Sequence, residues 1–145
     1  MSRSPAGGCT IIHVSAVVLR DARGRILMVR KRGTSMWMNP GGKPEPGESA
    51  GECAAREVQE ELGLRLDAAR LLSLGEFAAP AANEAGHTVV ADVFDWPEAV
   101  AADVAPTAEI EETRWVTTDD LGDETLAPLF VDHIVPAIGL HVTVE

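Results

Sequence analysis

The chain has 145 residues, with 12 basic against 23 acidic side chains and a formal charge of −11 at neutral pH. That length argues for one domain, and 46% hydrophobic residues suit a globular core rather than a disordered or collagen-like chain. No apolar run approaches the roughly 18 residues that span a bilayer, and the negative balance lacks the basic footprint that polymeric nucleic acids demand.

Residues 1–10 contain no apolar stretch of signal-peptide length and are expected to form a flexible terminus on a cytoplasmic protein, with 11–145 as a single domain. Ile11 to Leu19 is rich in Ile and Val, Asp21 to Gly24 supplies turn residues, and Arg25 to Arg32 follows as a second strand; together they predict a hairpin. Gly33, Pro40, Gly41, Gly42, Pro44, Pro46 and Gly47 forbid regular structure for long across residues 33–48. Ser49 and Glu52 then form a capping box, so a helix opens there, and Gly63 closes it as a residue that accepts a left-handed cap. Gly51, Ala55, Val58 and Leu62 fall on one side of that helix, the side expected to pack on a sheet. Arg70 to Phe77, Thr88 to Trp96 and Ile110 to Thr117 read as strands, with Pro80, Asn83 and Gly86 in the loop joining the first two. Leu126 to Ile138 reads as a final helix despite Pro128 and Pro136. The order of elements predicts an α/β or α+β fold with a mixed sheet between helices.

The first helix carries Glu57, Glu60 and Glu61 at i, i+3 and i+4, within one ~100° arc beside the apolar stripe. Such like-charge pairs each cost a helix about 0.2–0.5 kcal/mol, and their crowding implies a cation between them. Hard oxygen ligands in this pattern suit Mg2+ or Mn2+ shared with substrate phosphates. Arg56 lies one turn from both Glu52 and Glu60, placed for a helical salt bridge and for orienting a carboxylate. His13, His87, His133 and His141 are scattered without ligand spacing, and Cys9 and Cys53 make no zinc or disulfide pattern.

Gly42, five intervening residues, Glu48, seven more, and then Arg56-Glu57-Val58-Gln59-Glu60-Glu61-Leu62-Gly63-Leu64 match the Nudix box without departure. Over residues 42–64 the chain resembles the MutT-like Nudix pyrophosphohydrolases. The resemblance implies an α/β/α sandwich on a mixed sheet, and hydrolysis of a nucleoside diphosphate linked to another group by water attack on phosphorus with divalent ions bound. By motif position it implies Glu57, Glu60 and Glu61 as metal ligands, helped by the carbonyl of Gly41. Glu57 is the first choice of general base with Arg56 orienting it, and Glu48 braces the loop against Arg56. A later acid is also implied: Glu109 and Glu112 are equal candidates, with Glu111 between them. Arg32 and Lys43 are the candidate phosphate-binding cations.

Arg30-Lys31-Arg32-Gly33 and Trp37-Met38-Asn39-Pro40-Gly41-Gly42 look like the nucleoside triphosphate hydrolases of that family, including those acting on oxidised purine nucleotides, which give a monophosphate and pyrophosphate. Oxidised-purine hydrolases often place Asn directly after the Trp, where this chain has Met38, with Asn39 one residue later. Trp37 either stacks on a base or pins the loop to the core. Pro80, 16 residues beyond Leu64, keeps ADP-ribose or a nucleotide sugar as the alternative substrate. A non-catalytic nucleotide-binding module is a third reading, disfavoured by the intact box. A monomer or homodimer acting on a small nucleotide, without membrane or nucleic-acid partners, is expected.

Overall fold

The computed structural model describes residues 10–101 and 104–139. Cys9, His141 and the expected flexible terminus, apart from Thr10, lie outside them. Strands β1 (Thr10–Val18), β2 (Ile26–Lys31) and β3 (Gly41–Gly42) precede helix α1 (Ala50–Leu62); β4 (Leu72–Pro80), β5 (His87–Asp95), β6 (Ile110–Val116) and helix α2 (Val135–Ala137) follow. A four-stranded mixed sheet runs β3-β1-β5-β4, and β2 pairs with β6 in a second, antiparallel sheet. No helix among the described residues is long and apolar enough to cross a membrane.

The turn expected at Asp21 to Gly24 is present: the Asp21 carboxylate accepts from the amides of Arg23 and Arg25 at 3.0 and 2.9 Å, and Gly24 takes a left-handed conformation. The hairpin expected beyond it is not. Leu27 N–H to Leu19 C=O (2.9 Å) and Asp21 N–H to Arg25 C=O (3.0 Å), flanking a single Arg20–Ile26 bridge, join the strands before they part into different sheets. β1 runs parallel to β5, from Thr10 opposite His87 to Val18 opposite Asp95, and antiparallel to β3. The reason for the parting is burial on both faces of the strands. Val18, Ile26 and Met28 enter a core with Phe130 and Ile134, whereas Val17, Leu19, Leu27 and Val29 enter another with Ala54, Val58 and Leu62. Two strands that each feed two layers separate the helices on opposite sides, which yields the expected α/β/α sandwich.

The buried stripe of α1 is offset from the expected one. Cys53, Ala54, Val58, Glu61 and Leu62 are buried, while Gly51 and Ala55 are partly exposed. The helix is therefore rolled so that one carboxylate shares the face that contacts the sheet. The final helix also differs from the expectation. Leu129–Ile134 is a π-helical turn that leads into α2, with the Val135 amide bonded to the Phe130 carbonyl five residues back. Pro136 lacks an N–H and its ring would crowd the carbonyl four residues earlier, so the ladder widens there.

Gly41 has φ +156°, and a Cβ built on it would collide with the Ser15 carbonyl. Gly41→Ala should lose on the order of 2–4 kcal/mol through strain and loss of β1–β3 pairing. At Gly51 the nearest atom to a Cβ is 3.8 Å away, so Gly51→Ala should be neutral or stabilise by up to about 1 kcal/mol. Urea titrations of the two variants measure this contrast.

Candidate active site

Local chemistry sets the start of α1. Ser49 Oγ accepts from the Glu52 amide at 3.1 Å and Glu52 Oε1 accepts from the Ser49 amide at 2.9 Å. Ser15 Oγ donates to the Ala50 carbonyl at 2.9 Å, tying the first turn to β1. Gly63, at φ 71°, donates to the Gln59 carbonyl and ends the helix. These constraints fix the register at which the acidic face meets the double glycine.

Arg56 organises the loop before the helix. Its Nε lies 2.7 Å from Glu48 Oε2 and its second terminal nitrogen 3.0 Å from Glu48 Oε1, a bidentate pair of the strong kind. It also donates to the Lys43 carbonyl at 3.1 Å and to Glu57 and Glu60 at 3.2 Å each. The Arg56 guanidinium and the Glu45 amide hold the Glu48 carboxyl down at about 2.

Glu61 has no solvent exposure. Its Oε1 accepts from the Gly41 amide at 3.2 Å, and Oε2 lies 3.4 Å from Lys31 Nζ without hydrogen-bonding geometry. Burial pushes its carboxyl up to about 7, against the opposing pull of Lys31 and the Gly41 amide. Glu57 is half-buried against Gly42, where a Cβ would strike its carboxylate; burial raises its pKa while Arg56 opposes the rise. Cys53 lies beneath them with Sγ 3.4 Å from the Gly42 carbonyl, and burial raises its thiol. It is a packed side chain in a closed position.

The three glutamates do not gather as expected. Among the described residues no group of three or more acidic, His or Cys side chains is arranged to hold a metal ion. The carboxylates divide between two electropositive partners: Glu60, exposed, and Glu57 share the Arg56 guanidinium, and Glu61 faces Lys31 and the Gly41 amide. The donor set nevertheless fits a hard divalent cation. Glu61 Oε2 is a buried oxygen without a hydrogen-bond donor, and the bare Gly42 leaves the Glu57 carboxylate room against the backbone.

A cavity of about 450 Å³ opens beside this face, lined among others by Lys31, Gly41, Gly42, Lys43, Glu57 and Glu109. Of the three later acids, Glu109 alone is in its wall; Glu111 pairs with Arg32 and Glu112 with Arg30, each at 2.7 Å. Arg32 also donates to the Ala108 carbonyl at 2.9 Å, so it braces β2 against β6 outside the cavity. The cation that sequence reasoning missed is Lys31. Alternation suggests only that Lys31 faces away from Arg30 and Arg32; that this face meets Glu61 is decided by the folded sheets. Trp37 is not in the cavity wall. The guanidinium groups of Arg30 and Arg114 lie over its ring, 5.9 and 5.6 Å from the centroid, and its backbone bonds to Thr125 and Ala127 at 2.7 and 2.9 Å. In this geometry it pins the loop.

A family model described as NUDIX domain matches residues 10–137. The fold superposes on the MutT protein from Methanosarcina mazei Go1 with a TM-score of 0.74 and 30% identity, covering 90% of this chain and 95% of that one. The sequence is 31% identical over 128 residues to the CMP-5'-(N-acetyl-N-hydroxy-3-aminopropyl)phosphonate hydrolase of Streptomyces rubellomurinus, covering 81% of this chain and 60% of that protein. It is 37% identical over 71 residues to a Bacillus subtilis protein provisionally named an 8-oxo-dGTP diphosphatase, covering 49% of this chain and 46% of that protein. The chain thus spans less than two thirds of the length of these two curated relatives.

The Glu48–Arg56 pair carries a pH signature. Glu48 titrates at about 2 in the folded chain against an ordinary value of 4.5, so its stabilisation is complete above the ordinary value and drains away as pH falls toward 2. Glu48→Gln should lower the urea midpoint at pH 7 and converge with the parent as the pH nears 2. Equal offsets at both ends of that range would contradict the pairing.

Proposed function

The chain belongs to the NUDIX-domain family, and from that premise we propose that it hydrolyses the pyrophosphate bond of a nucleoside diphosphate linked to another group. The preferred substrate is a nucleoside triphosphate, ordinary or oxidised, released as monophosphate and pyrophosphate. The observation that carries this reading is the shared cavity in which Glu57 and Glu109 face Lys31 and Lys43 beside the double glycine. Carboxylates next to lysines suit a polyphosphate held with its charge neutralised and its phosphorus open to water. The hydrolase from Streptomyces rubellomurinus, named for a CMP-linked substrate, supports the same reaction class.

Glu57, Glu61 and the Gly41 carbonyl are the groups that would hold Mg2+ or Mn2+, with Glu60 as the exposed third carboxylate. Such an ion, when bound, polarises the phosphoryl oxygens and lowers the pKa of water. Lys31 and Lys43 receive the phosphates. Glu57 is the general base: half-burial raises its proton affinity, and Arg56 fixes its direction. Glu109 is the later acid of the site, favoured over Glu112 because it lines the cavity and Glu112 is committed to Arg30. Pro80 also lines the cavity, which keeps ADP-ribose and nucleotide sugars as the second reading.

Purified protein should release phosphate products only with Mg2+ or Mn2+. Glu57→Gln and Glu61→Gln should each cut kcat by about 10²–10⁴-fold while far-UV circular dichroism is unchanged. Tight nucleotide binding without turnover at any metal concentration would instead identify a binding module. A kcat/KM ranking led by ADP-ribose would select the second reading.

A further inference from the structure

Among the described residues, buried side-chain atoms without hydrogen-bond partners occur at two places: both polar atoms of the Asn39 amide, and Glu61 Oε2. Neither is open to a ligand as it stands, and the difference lies in what covers each. Asn39 is fixed between the two sheets by the backbone bonds of its neighbours, Met38 with Val29 at 2.8 Å and Val17 to the Pro40 carbonyl at 2.9 Å. Glu61 is shut away behind a side chain that can move. It is absent from the cavity wall, whereas Lys31, whose Nζ stands 3.4 Å from Oε2, is part of that wall. The root of Lys31 is held: its carbonyl accepts from the Thr34 amide at 3.0 Å and from the Thr34 hydroxyl at 2.7 Å. Its end is not, with the side chain 33% exposed on a flexible four-carbon stem.

The kind of cation matters as much as its place. Of the 12 basic side chains only Lys31 and Lys43 are lysines, and both line the cavity. The arginines around them are committed through directed bonds: Arg30, Arg32 and Arg56 each meet a carboxylate at 2.7 Å. The Lys31–Glu61 pair is longer and lacks hydrogen-bonding geometry, so the ammonium neutralises the buried charge without satisfying the oxygen. A hard cation reaches that oxygen only once the ammonium withdraws, because the two positive centres repel each other at such range. The withdrawn ammonium has the cavity to enter. We infer that Lys31 is a positioning residue that exchanges partners: it neutralises Glu61 in the metal-free chain, yields that oxygen to a divalent ion, and so becomes free for a substrate phosphate. Metal and polyphosphate then assist each other's binding, since each draws Lys31 and Glu61 apart. This deepens the proposed reading of the site and rests on it, though not on turnover.

Two lysines in the whole chain make the exchange directly visible by NMR. In protein labelled with 13C-lysine, the side-chain signals of Lys31 and Lys43 are told apart by the loss of one set in Lys43→Met. Mg2+ added without nucleotide should shift the Lys31 signals of the parent toward the position they already hold in Glu61→Gln. ADP in EDTA then supplies a double-mutant cycle, its dissociation constant read from the Lys43 signals. Lys31→Met should weaken metal-free ADP by less than about twofold in the parent background, where Lys31 is engaged, and by about fivefold or more in Glu61→Gln, where it is free. The Mg2+ shift in the parent needs no Lys31 variant, so the exchange stays open to refutation if Lys31→Met does not fold. Both results without turnover of any nucleotide would sink the proposed hydrolysis and leave the exchange standing. Lys31 signals unmoved at every Mg2+ concentration, or equal losses in the two backgrounds, would overturn the exchange even in an active enzyme. ADP bound by no form of the protein would overturn both.

Discussion

A carboxylate with no access to solvent organises this molecule. Burying a charge costs several kcal/mol unless partners replace water, and Glu61 has only the Gly41 amide and the Lys31 ammonium to do so. The approach of Gly41 to β1 is open only to glycine, and the adjacent Gly42 leaves space for Glu57 in the same way. The helix, the double glycine and the end of β2 are therefore positioned by one another. The carboxyl that results titrates near 7 because burial outweighs both partners. A buried carboxyl held in that condition behind Gly41 and Lys31, which line the cavity, is a recognised mark of functional chemistry.

Arg56 extends the order from the helix into a loop without ladder bonds of its own. It gathers Glu48, the Lys43 carbonyl, Glu57 and Glu60 around one guanidinium. Its planar fork fixes several acceptors at once, which an ammonium could not do in the same geometry. The loop is thus held by side-chain chemistry where β3 stops, and the Lys43 end of the cavity acquires a rigid floor.

Several readings failed where a residue's surroundings come from distant chain. Arg32 had the right charge and was one position away from the cavity, because β6 takes both neighbouring arginines into outward pairs with Glu111 and Glu112. Trp37 left two readings open, and its loop-pinning contacts with Arg30, Arg114, Thr125 and Ala127 come from distant chain as well. The expected hairpin failed for a related reason: a good turn specifies the reversal, but apolar residues on both strand faces left each strand free to choose another partner. Asn39 gave the least warning, its only mark being a polar side chain between Met38 and Pro40.

What the sequence by itself determined was local. The helix ends are written in Ser49, Glu52 and Gly63, the clamp in the spacing of Glu48 and Arg56, and the acidic face in a period of 3.6 residues. Each depends on groups close along the chain. Only the tertiary structure decided that Lys31 rather than Arg32 meets Glu61, that Glu109 rather than Glu112 reaches the cavity, and that Asn39 is buried without a partner. Those outcomes depend on which sheet each strand joins and on a register shift between Arg30 and Lys31. Pairing over such separations is set by burying both faces of β1 and β2 at once, a requirement that no short window of sequence contains.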